Sequence, residues 1–158
     1  MKTRRPDILK AAYDLMGVQG LESLTARNVA AELGINHATV HYYFPHRSDL
    51  LAGIAEFTVD QLRRDRTRFQ AGAEKPIDKI EAELALAEAY CRKGSRFVKV
   101  LAGLYVASVA EAALRKKLSV IWSEWSGLLV ELTASAKTKK DTPFADGELL
   151  CATFLGLM

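Results

Sequence analysis

Apolar residues recur along most of the chain at three- and four-residue spacing, the period of a helix that buries one face. The first run, Ile8, Ala11, Ala12, Leu15 and Met16, predicts a helix starting near Pro6, whose fixed φ suits a first helical position. Gly17 and Gly20 end it. Thr25 opens a second helix carrying Val29, Ala30 and Leu33, and its hydroxyl can accept a hydrogen bond from a first-turn amide. Gly34 lets the chain leave that helix, and Asn36 can cap a third over 37–44 that Pro45 stops. A fourth helix begins near Ser48, with Asp49 at its positive end and Leu50, Leu51, Ile54, Phe57 and Leu62 as its apolar stripe. Its distal half is so rich in Arg and Asp that we expect a face solvated on most sides.

Residues 71–76 read as a linker. Pro76 then starts a fifth helix carrying Ile77, Ile80, Leu84, Ala87 and Cys91. Phe97, Val98, Leu101, Leu104 and Tyr105 define a sixth. A seventh, about 111–136, carries Leu114, Leu118, Ile121, Trp122, Trp125, Leu128, Leu129 and Leu132. A loop is expected over 138–143, followed by an eighth helix from near Asp146 with Leu149, Leu150, Phe154 and Leu157. The pattern is still helical at Met158, like an interrupted element. No stretch alternates as a strand would, so the class is all-α. The expected division is 1–47 for a helix-turn-helix domain, 48–70 for a connecting helix and 71–158 for a second helical domain.

Composition narrows the function. The 158 residues are 49% hydrophobic and 26% charged, a globular balance and not that of a disordered tail. The net charge of +3 is too small to indicate a nucleic-acid partner by itself, so any basic footprint must be local. Cys91 and Cys151 form no metal or disulfide pattern and read as small apolar residues in a reducing cytoplasm. The least charged stretch, 100–110, is too short to span a bilayer, and Asp7 and Asp14 interrupt any secretory core near the start. The chain offers no Ser-His-Asp set, paired carboxylates or phosphate-binding Gly loop, which argues against an enzyme.

The informative segment is 25–50. Two short helices around Gly34, Ile35 and Asn36, flanked by longer ones, suggest a helix-turn-helix. Val29, Ala30, Leu33, Ile35, Val40 and Phe44 can seal a small core. His37, Ala38, Thr39, His41, Tyr42 and Tyr43 then point partly outward, on the helix that would enter a major groove. Adjacent helical positions diverge, so of the two tyrosines Tyr43 is expected to be the partly buried one. Thr39 suits a phosphate or a thymine methyl, the imidazoles suit guanine N7 or O6, and the phenols suit phosphates. Arg47 and Thr25, at helix starts, suit the DNA backbone, and Arg27 can reach a guanine.

The run Thr25, Val29, Ala30, Gly34, Ile35, Asn36, Thr39, Val40, His41, Tyr42, Tyr43, Phe44, Arg47, Leu50 resembles the DNA-binding domain of the TetR family of transcriptional regulators, over about residues 6–55. A tyrosine is common in the family where this chain has His41, a Gly or Pro where it has Ala38, and a lysine where it has Arg47. The resemblance implies DNA contact through Thr25, Arg27, Asn36, His37, Ala38, Thr39, His41, Tyr42, Tyr43 and Arg47. It also implies a C-terminal helical domain for effector binding and dimerisation, and a homodimeric cytoplasmic repressor released from a palindromic operator by a small molecule. The family usually has a further helix after the eighth, which leaves two alternatives open for this sequence, a different dimer interface or a truncated chain. Tyr90, Phe97, Leu101, Tyr105, Trp122 and Trp125 could line the effector cavity, or could simply fill the core. Cofactors are not implied. His37 and His41, at i and i+4, could hold a transition metal with His46 or Asp49, but no tight ligand set completes on one face. The alternative is an all-α interaction or metal-binding protein without sequence-specific DNA binding.

Overall fold

A computed structural model describes residues 5–92 and 94–136. Among the described residues there are seven α-helices, one 3-10 turn and no strand. The helices are α1 (Arg5–Gln19), α2 (Ala26–Leu33), α3 (His37–Tyr43), α4 (Arg47–Phe69), α5 (Pro76–Cys91), α6 (Arg96–Ser108) and α7 (Ala112–Ala136), with the 3-10 turn at Leu21–Ser23. The expected loop over 138–143, the eighth helix and Cys151 lie outside the described residues.

Among the described residues two compact units form, one from residues 5–60 and 94–118, the other from 61–92 and 119–136. Two helices, α4 and α7, run through both spans. The first unit collects the N-terminal helices together with α6. Ile8, Ala12 and Met16 on α1, Ile54 on α4, and Val100 and Leu104 on α6 are fully buried. Between α1 and α6 the approach is close: a Cβ at Gly17 would stand 2.8 Å from Arg96 Cβ. Only a glycine leaves that space, since real carbon contacts stop near van der Waals distance. Asp14 closes the same seam by accepting from Arg96 Nη1 at 2.9 Å. Tyr13 packs its ring against that of Phe57, near the middle of α4, at 5.2 Å.

The second unit is built differently. Trp125 and Leu129 of α7 pack with Ala87 of α5, flanked by Leu84 and Trp122. Within this apolar group lies Glu83, only 1% exposed. Its Oε1 accepts from Arg66 Nε at 2.9 Å and Gln70 Nε2 at 2.8 Å, and its Oε2 from Trp125 Nε1 at 3.1 Å. Beside it, Asp65 accepts from the Tyr90 hydroxyl at 2.8 Å, and Arg63 forms a two-point pair with Glu124. The Arg63 guanidinium holds the Glu124 carboxyl below its usual range against a partial desolvation.

This refines one sequence expectation and corrects another. The distal half of α4 is solvated on most sides, with Arg63, Arg64, Thr67 and Arg68 exposed, but one side of it turns inward. Leu62, Asp65 and Arg66 fall on one side of the helix, and Arg66 and Asp65 keep only 14% and 18% of their side chains exposed. Charges are tolerated there because each meets a partner in place. Cys91 is exposed, not a buried apolar residue. The inward face of α5 runs through Ile80, Glu83, Leu86 and Ala87, and Cys91 is the last residue of the helix.

Candidate nucleic-acid interface

Each end of the short helices in the first unit is fixed by a local bond. Thr25 is extended, and its Oγ1 accepts from Asn28 N–H at 3.1 Å, capping α2. Asn28 in turn donates its side-chain amide to Ser23 O at 2.8 Å, tying α2 to the 3-10 turn. At the far end Gly34 adopts φ +63°, and Ile35 N–H returns to Ala30 O at 3.0 Å, a Schellman closure. Asn36 then starts α3 by accepting Ala38 N–H on Oδ1 at 2.9 Å. Three residues thus turn the chain from α2 into α3, which pack against each other.

The packing decides which side of α3 faces water. Val40 and Phe44 are buried, the latter with the Arg5 guanidinium over its ring at 5.1 Å. His37, Ala38 and His41 are exposed, Thr39 and Tyr43 partly buried, and Tyr42 is 81% exposed. The rings of His37 and His41 meet edge to face at 6.1 Å, and those of Tyr42 and Tyr43 at 5.2 Å. Thr25, Arg27, Asn36 and Arg47 are also exposed.

Beside α3 lies a cleft of about 310 Å³. Its floor is apolar, from Leu24, Val40, Phe44 and Leu50, and its rim carries Glu22, Thr25, His41, His46 and Arg47. Arg47 donates Nη2 to Leu21 O at 3.1 Å, which holds the side chain across the cleft while other guanidinium N–H groups stay available. His46 sits just before α4, and its backbone N–H is held by Asp49 Oδ2 at 3.0 Å. Sequence reasoning placed Thr25, His41 and Arg47 here but left out Glu22 and His46. Their position opposite the α2 start depends on how the 3-10 turn and α4 fold together, which no local spacing encodes. Among the described residues, no group of three or more His, Cys, Asp or Glu could hold a metal ion.

The expected effector-cavity residues divide between the two units. Phe97, Leu101 and Tyr105 belong to the first, where Phe97 and Leu101 are buried. Burial pushes the Tyr105 phenol up to about 12. Tyr90, Trp122 and Trp125 belong to the second. The two indoles stack at 6.1 Å with planes 24° apart, and Trp125 is 9% exposed.

Residues 8–54 match the family model described as bacterial regulatory proteins, tetR family. A nucleoid occlusion factor SlmA from Photobacterium profundum is 21% identical over 97% of this chain and 79% of its own length. A candidate transcriptional regulator from Saccharomonospora viridis, solved with choline, shares the fold at a TM-score of 0.81 and 18% identity, over 96% of this chain and 81% of that one. AibR, solved with isovaleryl coenzyme A and operator DNA, does so at 0.75 and 19%, again over 96% and 81%. At such identities the solved structures speak for the fold, which here extends beyond the matched N-terminal segment.

Proposed function

Since this chain belongs to the tetR family of bacterial regulatory proteins, a family of DNA-binding transcriptional regulators, we propose that it binds a palindromic operator as a cytoplasmic homodimer, acts as a repressor without enzymatic activity, and is released by a small-molecule effector. The observation that carries the reading is α3 itself: its apolar side, Val40 and Phe44, is sealed while His37, Ala38, His41 and Tyr42 stand in water. In this reading α3 enters the major groove, with His37, Thr39 and Tyr42 toward base edges. Thr25, Arg27, Asn36, Tyr43 and Arg47 hold backbone phosphates and fix the register. Among the described residues no helix is long and apolar enough to cross a membrane, which is compatible with that setting.

For the effector, the proposed contact surface in the second unit is aromatic, Tyr90, Trp122 and Trp125, with Phe97, Leu101 and Tyr105 as the candidates of the first. Effector control requires only that the ligand prefer one of two conformations of the dimer. Complexes of AibR with DNA and an acyl thioester, and of the S. viridis protein with choline, support the class of ligand-responsive regulator without naming the ligand of this chain.

The test is selection of bound duplexes from a random DNA pool, followed by titration of the selected sequence at several salt concentrations. A palindromic consensus and affinity that falls steeply with salt are expected. Arg47→Ala should weaken selected and random duplexes alike and reduce the salt slope by about one. An unenriched pool, with Arg47→Ala indistinguishable from the parent, would overturn the interface.

A further inference from the structure

The three histidines of the whole sequence fall at 37, 41 and 46, and two of them face the same cleft as Arg47. We propose that His41 and His46 grip the DNA backbone as imidazolium ions, so that complex formation takes up protons and His46 joins the contact set. The inference rests on the DNA-binding reading and extends it to a residue and a charge state that reading does not contain.

The argument begins with the groups around the cleft. From the 3-10 turn comes the Glu22 carboxylate, from the start of α2 the uncharged Thr25 and Ala26, from α3 His41, and from the start of α4 His46 and Arg47. His37 stands behind His41, with ring centroids 6.1 Å apart. Asp49 is occupied with the His46 backbone N–H. A phosphate entering this rim adds negative charge beside both imidazoles, where each N–H can then donate a charge-assisted bond. Imidazole is the side chain that changes charge in the neutral range, so DNA binding tips its protonation.

The arrangement differs from a DNA interface built only on Arg and Lys, whose charge is constant over the same range. Linkage gives the size. Each proton taken up per protomer steepens the dependence of the association constant on pH by about tenfold per unit, with affinity rising as pH falls.

The experiment uses the full chain and a short duplex of random sequence, since phosphate grip does not require the operator. Affinity is measured by fluorescence anisotropy from about pH 8 to about pH 6, the window in which histidine titrates. Proton uptake is measured by calorimetry in buffers of different ionisation enthalpy. Affinity should rise at least severalfold on going down, and the apparent binding enthalpy should vary with the buffer. The variants His46→Gln and His41→Gln should each lose part of that dependence, and together nearly all of it. Both residues are exposed, and far-UV circular dichroism checks that each variant is folded. A pH-independent parent, or a double variant with the parent's full slope, would overturn the proposal while leaving DNA binding intact. Absence of binding at every pH and salt would instead overturn the DNA-binding reading on which it stands.

Discussion

Removing the carboxylate of Glu83 tests whether the second unit is organised around a buried charge. In the Glu83→Leu variant, Arg66 Nε, Gln70 Nε2 and Trp125 Nε1 all lose their acceptor. Arg66 keeps a guanidinium whose side chain is only 14% exposed. Removing one member of a buried ion pair costs about 3–5 kcal/mol, a large part of the roughly 5–15 kcal/mol that holds a domain folded. Arg66→Met should cost a similar amount by stranding the carboxylate. The double variant removes both charges and leaves two neutral donors, which at about 1 kcal/mol each place it within about 2 kcal/mol of the parent. Urea titration at fixed protein concentration measures all four proteins. The only tryptophans, Trp122 and Trp125, stack within this cluster, so their fluorescence reports on it directly. Single variants that each lose less than about 1 kcal/mol, or a double variant whose loss equals the sum of the singles, would refute the reasoning.

Other positions give sharper local tests. Asn36→Ala should cost about 1 kcal/mol in thermal unfolding by removing the α3 cap, and should weaken operator binding further by fraying the contact helix. Gly17→Ala gains helix propensity but sets a methyl 2.8 Å from Arg96 Cβ; a net loss of about 1 kcal/mol is expected because overpacking outweighs propensity. Burial favours the neutral Tyr105 phenol, pushed up to about 12. Its contribution is therefore intact below the unfolded value near pH ~10 and is lost as pH rises toward the folded one. Urea midpoints taken on either side of that window should fall for the parent and fall less for Tyr105→Phe.

The sequence was readable where local rules act alone. Thr25, Gly34 and Asn36 sit at the helix boundaries their chemistry demands, with φ +63° at Gly34 and capping bonds from the other two. The apolar stripe of α7 is likewise visible, since Leu114, Leu118, Ile121, Trp125, Leu129 and Leu132 are all buried. The exposed side of α3 follows from the same periodicity, because burying Val40 and Phe44 forces His41 and Tyr42 outward.

Periodicity, together with caps, glycines and prolines, determined that the described residues are helical, where α1 to α4 and α7 begin and end to within a residue or two, and which side of α3 faces water. Tertiary structure alone decided what lies across from each face. It set Glu22 and His46 on the rim of one cleft, brought Gly17 against Arg96, and turned charged residues of α4 inward toward Glu83. The physical reason is that hydrophobic spacing encodes a preference for water or its absence, which is a property of one residue. A buried charge or a two-sided cleft depends on a partner distant in sequence, and its energy exists only once both are in place.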